Sequence, residues 1–472
     1  MWLFSEKYVY KKSTMKKIFL SIFLFACLSL TAQIDTYNDS LRAEPSADVD
    51  YAMEVTNRLC DYSMYGRGIA KEGDKVAAQY IADELKSIGA EPIGRGYMQP
   101  FYISANTFPK RMTLQLGTDY LVPGVDFIID PTAPSVSGTY DAVTITRADM
   151  LNQMTLMDKL RQAKGNFLII DNNNYEGEKR DQTQKINMRI NNFRNDAKVG
   201  VKGVIVYDTL RVQSWSSATM QTEVPVFYVF KKDVNLENVA EIKVAADADF
   251  LPKYQTQNVI ARIKGSVKPE EYIVITCHYD HLGMMGEGVY SGANNGASGV
   301  AMMLSLAKHY AMIPPAYSVV FIAFGANEFG RAGGNAFIKN PSIPLSKIKL
   351  LVNFDMMGCG YDGVRVINGT SFPEYMNILT KIAREYRLVK NVEAVRNLSY
   401  FSEHFAFSNE GVGVKSMMVC SVGGDYTIRK EDGTISLVPQ LYKQIQDTKE
   451  MIPYTKFAEM KNLFIRFFET LK

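Results

Sequence analysis

Residues 271–283 read EYIVITCHYDHLG, a continuous apolar run that ends in two histidines and an aspartate. The run Tyr272–Cys277 has the length and the β-branched content of a buried strand. Apolar strands without alternation are typical of a parallel sheet that is covered on both faces. This stretch therefore predicts a buried strand that delivers polar side chains to one edge of a sheet.

The same pattern recurs through the C-terminal half of the chain. Apolar runs of strand length occur at Val259–Ile263, Val319–Phe324 and Lys349–Phe354, and helical patterns occur at Ser298–Tyr310 and Pro373–Tyr386. Their alternation predicts an α/β fold with a mixed, mostly parallel sheet and helices on both faces. In such sheets, functional residues gather just past the carboxyl ends of the strands.

The chain has 472 residues, which exceeds the usual size of a single hydrophobic core. The predicted secondary structure changes twice along it, from alternating helices and strands to short strands and back. A helical apolar stripe runs from Val76 to Ile88, whereas short strands separated by turns fill the middle of the chain. We predict an α/β domain built from residues 36–107 and 252–472. A β-rich module at residues 108–251 interrupts it.

The N-terminus has the pattern of an export signal. Two lysines precede the apolar stretch Ile18–Leu30, and Thr31-Ala32-Gln33 offers a small-residue cleavage point. The stretch is too short for a membrane span. Residues 1–32 are therefore predicted to be a signal peptide and the mature protein to be periplasmic or extracellular. Cys27 leaves lipoprotein anchoring as the alternative.

The charge of the chain argues against two classes of partner. The formal net charge is +3, with 53 Lys and Arg against 50 Asp and Glu. Residues 1–32 contain five Lys and one Glu, so their removal leaves a net charge of −1. A nearly neutral protein gives no electrostatic reason to expect nucleic acid or an anionic membrane as a partner.

The cysteines do not form a recognisable motif. Beyond residue 32 they are Cys60, Cys277, Cys359 and Cys420, which are far apart and include no CxxC pair. A zinc finger or a redox motif is therefore not expected. Export would permit a disulfide, and buried free thiols are the alternative.

Polar motifs follow the ends of successive predicted strands. His278-Tyr279-Asp280-His281 follows the first, and Asn327-Glu328 and Asp355 follow the next two. Residues 292–299, GANNGASG, lead into a helix. Histidine and carboxylates at neighbouring strand ends predict a present or former metal site. The alternative is a rim of solvated, hydrogen-bonded loops. His309 lies late in a helical pattern, and we interpret it as structural.

Four segments, HYDHLG, GANNGASG, NEFG followed by GGNAF, and NFDMMG, resemble the successive signatures of metallopeptidase family 28. The flanking residues 66–68 and 257–261 and the terminal Tyr442…Asp447-Thr448 are also similar. That family includes aminopeptidases, glutamate carboxypeptidases and the transferrin receptor. The resemblance implies a zinc exopeptidase fold, with a protease-associated domain as the inserted module.

The resemblance also implies a role for each matched position. In the family, two zinc ions lie roughly 3.5–4 Å apart and share a carboxylate and a water molecule. His278 and Asp355 match ligands of one ion, and Glu328 matches a ligand of the other. Asp280 matches the carboxylate that orients the histidine. Tyr442 matches the tyrosine that stabilises the oxyanion.

Three positions depart from the family pattern. Asn295 stands where the family has the bridging aspartate, Asn327 stands at the general-base glutamate, and Lys443 replaces a zinc-binding histidine. A neutral amide bridges two dications poorly, and an ammonium group cannot bind a metal. An amide also cannot accept a proton from water at neutral pH. His404, in SEHFAF, resembles a family position that is not a ligand.

These departures favour a non-catalytic pseudopeptidase that binds a peptide or protein in the former active-site cleft. We expect no zinc, or at most one weakly bound zinc at His278 and Asp355. The alternative is an active or weakly active aminopeptidase or carboxypeptidase that hydrolyses peptides with one zinc. Oligomerisation is possible, as in the family. We further expect the Lys443 ammonium to contact the Glu328 carboxylate where a zinc ion would otherwise lie.

Overall fold

The computed structural model describes residues 47–397, 402–408, 412–423, 425–429, 435–439 and 441–471. The predicted signal peptide, its cleavage point and Cys27 lie outside these residues. Within the described ranges, no helix is long and apolar enough to cross a membrane. Within the same residues, Cys60, Cys277, Cys359 and Cys420 form no disulfide with one another.

Helices and strands alternate through most of the described chain. The helices are α1 Ala47–Leu59, α2 Gly73–Ile88, α3 Arg147–Leu151, α4 Gln153–Gln162, α5 Arg180–Phe193, α6 Ser298–Met312, α7 Ala332–Lys339, α8 Pro373–Glu385, α9 His404–Ser408 and α10 Phe457–Glu469. The first ten strands are β1 Glu91–Pro92, β2 Met98–Thr107, β3 Met112–Leu116, β4 Asp119–Leu121, β5 Phe127–Ile129, β6 Val136–Thr146, β7 Phe167–Asp171, β8 Gly203–Tyr207, β9 Val226–Val229 and β10 Glu241–Ala246. The remaining strands are β11 Asp249–Ile263, β12 Lys268–His278, β13 Gly283–Met285, β14 Gly288–Tyr290, β15 Tyr317–Phe324, β16 Ile348–Phe354, β17 Gly363–Ile367, β18 Asn391–Val395, β19 Ser416–Val422, β20 Asp425–Arg429 and β21 Ile435–Pro439.

The larger sheet runs in the order β1-β11-β15-β12-β16-β19-β17-β18, and β2 also pairs with β11. Its centre is parallel, because β12 pairs with β15 on one side and β16 on the other, and β16 pairs with β19. Strands β11 and β17 join this centre in antiparallel pairs. The predicted strands Tyr272–Cys277 and Lys349–Phe354 are therefore neighbours in one sheet. The predicted α/β fold with a mixed sheet is confirmed.

Both faces of this sheet are covered, because successive side chains of a strand point to opposite sides. Ile273 and Ile275 of β12 pack into the core that also contains α1, α2, α6, α8 and α10. Val274, between them, packs on the other face with Phe337 of α7 and Phe407 of α9. The continuous apolar run in β12 thus follows from burial on both sides.

A second sheet, with the order β4-β3-β10-β6-β7-β8-β9-β5, lies within residues 112–246, inside the predicted module. Strands β6 to β9 are parallel, and β3, β4 and β10 extend the sheet in antiparallel pairs. Its apolar core is completed by Leu282, which follows β12, and by Met285 of β13 and Tyr290 of β14. The long antiparallel pair of β2 and β11 links this sheet to the larger one. The assignment of the module to the protease-associated class stays a prediction.

The module contains more helix than the sequence suggested. Residues 172–198 look like a long polar run, yet α5 occupies Arg180–Phe193 within it. Only Ile186, Ile190 and Phe193 of this helix are buried, so its apolar stripe is thin. Parallel strands require a crossover connection, which is usually a helix, and α5 connects β7 to β8.

A buried carboxylate joins α2 to the larger sheet. Asp74, in the first turn of α2, accepts hydrogen bonds from the hydroxyls of Tyr254 and Thr256 in β11, each at 2.7 Å. Asp74 is 0% exposed. Burial raises the pKa of its carboxyl group to about 6, although the two hydroxyl donors act in the opposite direction.

We predict that Asp74 makes the folded chain less stable as the pH rises from about 4 to about 6, because its carboxyl group ionises less readily when folded than when unfolded. Asp74→Asn should remove this dependence of the unfolding free energy on pH. The loss of unfolding free energy caused by Asp74 should not exceed about 3 kcal/mol, since one pKa unit corresponds to about 1.4 kcal/mol. Urea unfolding at a series of pH values measures this loss. The same exchange at Asp83, an exposed position of α2, is the control. Parallel curves for the wild type and Asp74→Asn would contradict the prediction.

Candidate metal and substrate site

The polar motifs converge at the carboxyl edge of the parallel centre of the larger sheet. His278 is the last residue of β12, Asp355 directly follows β16, and residues 327–329 form a single turn after β15. Asn295 lies in the turn before α6, and Lys443 lies in the loop between β21 and α10. Contacts of their side chains and backbone groups, described below, bring them together at this edge.

The turn before α6 is shaped by its glycines. Gly292 and Gly296 have φ values of 55° and 104°, which favour glycine. A Cβ atom at Gly292 would lie 2.4 Å from the His281 ring, and a Cβ atom at Gly296 would lie 3.1 Å from the His278 ring. The two histidines can therefore pack against this turn only because these positions lack side chains.

Asp447 holds the same turn in place from the C-terminal part of the chain. Its carboxylate accepts hydrogen bonds from the backbone N–H groups of Asn294, at 2.8 Å, and Asn295, at 3.0 Å. Its carbonyl oxygen accepts from the Ser291 hydroxyl and from the Ala293 N–H group. The terminal motif thus positions the Asn295 side chain through the backbone.

Arg67 fixes the other side of the turn. This residue is 0% exposed, and its guanidinium donates hydrogen bonds to the carbonyl groups of Leu59, Tyr279, Ser291 and Gly292. It therefore ties the end of α1 to the segment after β12 and to the start of the turn. Arg67 was noted in the sequence only as part of a flanking match, because its partners are backbone atoms that no side-chain motif reveals.

His278 lies between Asn295 and Asp355. Its Nε2 atom is 3.2 Å from Asn295 Oδ1 and 3.3 Å from Asp355 Oδ1. Burial lowers the pKa of His278, but the carboxylates of Asp355 and Asp280 more than offset this effect and raise it well above the ordinary value. The raised pKa favours a protonated His278 beside the Asp355 carboxylate.

Glu328 lies between Lys443 and His281. The Lys443 Nζ atom is 2.6 Å from Glu328 Oε2, and His281 Nδ1 is 3.8 Å from Glu328 Oε1. The Glu328 side chain is 1% exposed and the Lys443 side chain 16%. Burial lowers the pKa of Lys443, but Glu328 and Tyr442 more than offset this effect and raise it. The expected contact between Lys443 and Glu328 is thus present.

The contacts of the Asp280 carboxylate differ from those that the resemblance implied. Its carboxylate accepts hydrogen bonds from the backbone N–H groups of Asn327, at 2.9 Å, and Glu328, at 3.0 Å. Its Oδ1 atom is 3.7 Å from His278 Nδ1, whereas its carbonyl oxygen is 3.0 Å from that nitrogen. The carboxylate therefore positions the turn that carries Glu328, and the backbone orients His278.

Tyr442 lies at the margin of the site. Its ring packs against the small apolar cluster of Met356, Met418 and Cys420, and the Lys443 Nζ atom is 5.4 Å from the ring centroid. Burial raises the pKa of its hydroxyl group. His404 lies elsewhere, with its ring nitrogens 3.0 Å from Ser402 Oγ and from Asn397 Oδ1.

Sequence reasoning assigned no role to two buried residues near the site. Both nitrogens of His281 are buried, and burial lowers its pKa well below the ordinary value. Glu403 is 1% exposed, and burial followed by the charge of Asp280 raises its pKa to about 8. Glu403 precedes His404 in the SEHFAF segment, so the family resemblance was the only signal that could have pointed to it. Within the described ranges, no three His, Cys, Asp or Glu side chains are grouped so as to hold a metal ion.

Residues 258–468 match the model of peptidase family M28. This region, which contains most of the site residues, therefore belongs to that family. Aminopeptidase YwaD of Bacillus subtilis is 27% identical over 177 residues, which cover 36% of this chain and 37% of that protein. The M28 chain thus matches only about a third of the length of this relative.

Two solved structures have a similar fold over most of their length. A peptidase M28 precursor from Shewanella amazonensis has a TM-score of 0.59 at 18% identity, and the match covers 90% of this M28 chain and 97% of that one. The zinc aminopeptidase BSAP from Bacillus subtilis has a TM-score of 0.58 at 18% identity, and the match covers 88% of this chain and 92% of that one. At this level of identity, the similarity establishes the fold.

We predict that Lys443→Ala destabilises the chain by roughly 3–5 kcal/mol, because it leaves the buried Glu328 carboxylate without its cation. Urea unfolding at pH 7 measures the change. Lys449→Ala, at an exposed position of the same segment, is the control and should cost little.

A double-variant cycle separates the ion pair from the rest of the loop. Lys443→Met combined with Glu328→Gln removes both charges, so it should cost less than the two single variants added together. Simple additivity of the two costs, or a Lys443→Ala variant as stable as Lys449→Ala, would show that the pair is energetically unimportant.

Proposed function

We propose that this M28 chain is a non-catalytic, exported pseudopeptidase that binds a peptide or protein segment in the former active-site cleft. The observation that carries this proposal is the 2.6 Å contact between Lys443 Nζ and Glu328 Oε2. An ammonium group at that distance from a carboxylate takes the place of a metal ion beside it, since it donates hydrogen bonds and accepts none.

The other donors do not fit a two-zinc site. A catalytic zinc ion takes three protein ligands as a rule, so two ions that share a bridging ligand need more donors than this cleft offers. The anionic or imidazole donors at the matched positions are His278, Glu328 and Asp355, and the bridging position carries the neutral amide of Asn295. The Asn295 Oδ1 atom is already 3.2 Å from the His278 ring. The donor set supports at most one ion, at His278 and Asp355.

The catalytic base is also absent from its position. Asn327 follows β15 where the family pattern has a glutamate, and its amide cannot accept a proton from water at neutral pH. A positioned base contributes roughly 10²–10⁴-fold to a rate, so this change alone would reduce peptidase turnover severely. The missing base and the incomplete metal site are independent reasons to expect inactivity.

Two polar atoms support binding in the cleft. Asn295 Nδ2 and Asn327 Oδ1 are buried and have no hydrogen-bond partner within the described part of the protein. Such atoms are rare in folded proteins, where water or a ligand usually satisfies them. One is a donor and the other an acceptor, and a peptide backbone offers the complementary pair. This pairing favours a peptide as the occupant.

A second candidate function is peptide hydrolysis with a single zinc ion. It is supported by the geometry around His278, whose Nε2 atom lies within 3.3 Å of oxygens from Asp355 and Asn295. These three groups could act together as ligands after small side-chain movements, and Glu403 would be a candidate base. The zinc content of the purified protein distinguishes the two proposals.

We predict that the purified chain contains well under one equivalent of zinc and has no aminopeptidase turnover above background. Elemental analysis and hydrolysis of aminoacyl anilides measure these quantities. His278→Ala should change neither of them. Two firmly bound zinc ions would refute the pseudopeptidase proposal, whereas one ion that is lost in His278→Ala, together with turnover, would establish the one-zinc alternative.

Reversing the three departures should restore the site in stages. Lys443→His with Asn295→Asp should recover zinc binding, because it returns the missing ligand and the bridging carboxylate. Turnover should also require Asn327→Glu, since water activation needs a base. Isothermal titration with zinc and the anilide assay follow the two stages. Failure of the double variant to bind zinc, although it is folded, would show that the backbone no longer fits the metal.

A further inference from the structure

Arg331 closes the turn that carries Asn327 and Glu328. Its backbone N–H group donates to the Asn327 carbonyl oxygen at 3.0 Å, and α7 begins at the next residue. Ala326 and Arg331, at the two ends of this turn, have φ values of 54° and 61°. Non-glycine residues adopt this conformation at a cost, and such residues cluster at active sites and ligand sites. Arg331 is half-buried and occupies none of the positions that match a metal ligand.

The Arg331 guanidinium has N–H donors without acceptors. Within the part of the chain that the structure describes, its Nε and Nη1 atoms are buried and have no hydrogen-bond partner. The group lies over the Phe405 ring, 5.1 Å from the ring centroid, and an aromatic face attracts the cation without supplying an oxygen acceptor. A charged donor that is buried and unpaired is costly, so such groups usually meet water or a ligand. An acceptor from outside the described residues is therefore expected beside Arg331.

A buried carboxyl group near Arg331 does not balance its charge. Glu403 packs against the start of α7, where the absence of a side chain at Gly334 makes room for its carboxyl group. Its oxygens make no hydrogen bond with the guanidinium. Burial, followed by the charge of Asp280, raises the pKa of Glu403 to about 8, although Arg331 acts in the opposite direction. Glu403 is therefore mostly protonated and uncharged at neutral pH, and a ligand would supply the missing negative charge.

A carboxylate is the anionic group that suits both this donor and the proposed occupant of the cleft. A guanidinium matches the two oxygens of a carboxylate, and hydrogen bonds between charged groups are stronger than neutral ones. The unpaired atoms Asn295 Nδ2 and Asn327 Oδ1 fit the backbone of a peptide. At neutral pH, an unmodified peptide is negatively charged only at its C-terminus and at aspartate and glutamate side chains. Since Asn327 and Arg331 belong to one turn, a peptide that reaches the first also approaches the second.

We propose that Arg331 binds a carboxylate group of the peptide that occupies the cleft, and thereby selects acidic ligands. The carboxylate belongs either to the C-terminus of the peptide or to an aspartate or glutamate side chain, because both offer the same chemistry. This inference rests on the proposed function, since it names the kind of peptide that the cleft takes. Arg331 is then a specificity-determining residue of the cleft.

Calorimetric titration of the full-length mature chain with three tripeptides tests this proposal. The probes are trialanine with a free carboxylate, trialanine amide, and alanyl-glutamyl-alanine amide. Phenanthroline, an uncharged chelator, is present so that no metal ion can bind a carboxylate. Trialanine or the glutamyl probe should bind at least tenfold more tightly than trialanine amide, and the tighter of the two identifies the source of the carboxylate.

The outcomes separate this inference from the proposed function. Equal binding of all three probes would refute the role of Arg331 and leave peptide binding in the cleft intact. Absence of binding by every probe would refute both. Tighter binding of an acidic probe that persists in Arg331→Gln would place its carboxylate elsewhere and overturn the inference alone.

Two variants and a control locate the carboxylate. Arg331→Gln should lower the affinity for the acidic probe at least tenfold and leave the affinity for trialanine amide unchanged. Arg384→Gln, the same change in charge at an exposed position of α8, should have no effect on any probe. Arg331→Met, which can still pack against Phe405, should act like Arg331→Gln and is available if the latter does not fold.

Urea unfolding distinguishes ligand binding from a structural role. Because the Arg331 Nε and Nη1 atoms donate to none of the described residues, Arg331→Gln should be at least as stable as the wild type. A residue that is held at a cost to stability for the sake of function behaves in this way. A less stable Arg331→Gln variant that binds all three probes more weakly by the same factor would show that Arg331 is structural.

Discussion

The parallel pairing of β12 with β15 and β16 is the constraint on which the site depends. Parallel strands end at the same edge of a sheet, so His278, Asn327 and Asp355 meet there although they are distant in sequence. The pairing in turn requires strands that are apolar on both faces, which the central strands are. Any change that shifted this register would move the site residues apart before it altered their chemistry.

The loops around the site are supported by groups that are not metal ligands. Arg67 binds four backbone carbonyl groups, and Asp447 binds the backbone of the turn that carries Asn295. Asp280 likewise binds the backbone N–H groups at Asn327 and Glu328. Because backbone atoms supply these contacts, exchange of a ligand side chain leaves the framework intact. The fold of these loops therefore does not depend on which side chains stand at the matched ligand positions.

The sequence predicted the central strands and the polar residues at their ends, because continuous apolar runs and the polar residues after them are local patterns. The Lys443–Glu328 contact followed from the family resemblance, since both positions match ligands of one ion. Helix α5 was missed because three buried residues in fourteen give little periodicity. Arg67 was missed as a functional residue because its partners are carbonyl oxygens, which depend on tertiary structure alone.

The loop that carries Lys443 is in direct contact with residues 108–251. Leu441 and Lys443 have φ values of 66° and 59°, a backbone conformation that non-glycine residues adopt at a cost. The Trp215 N–H group donates to the Lys443 carbonyl oxygen, and Trp215 itself packs against Tyr290 and Phe108. The module therefore helps to maintain the strained conformation that brings the ammonium group to Glu328. In a two-zinc relative, a metal ion could hold a histidine at that position by direct coordination. In this chain, the ion pair with Glu328 and the backbone contact from Trp215 hold the lysine.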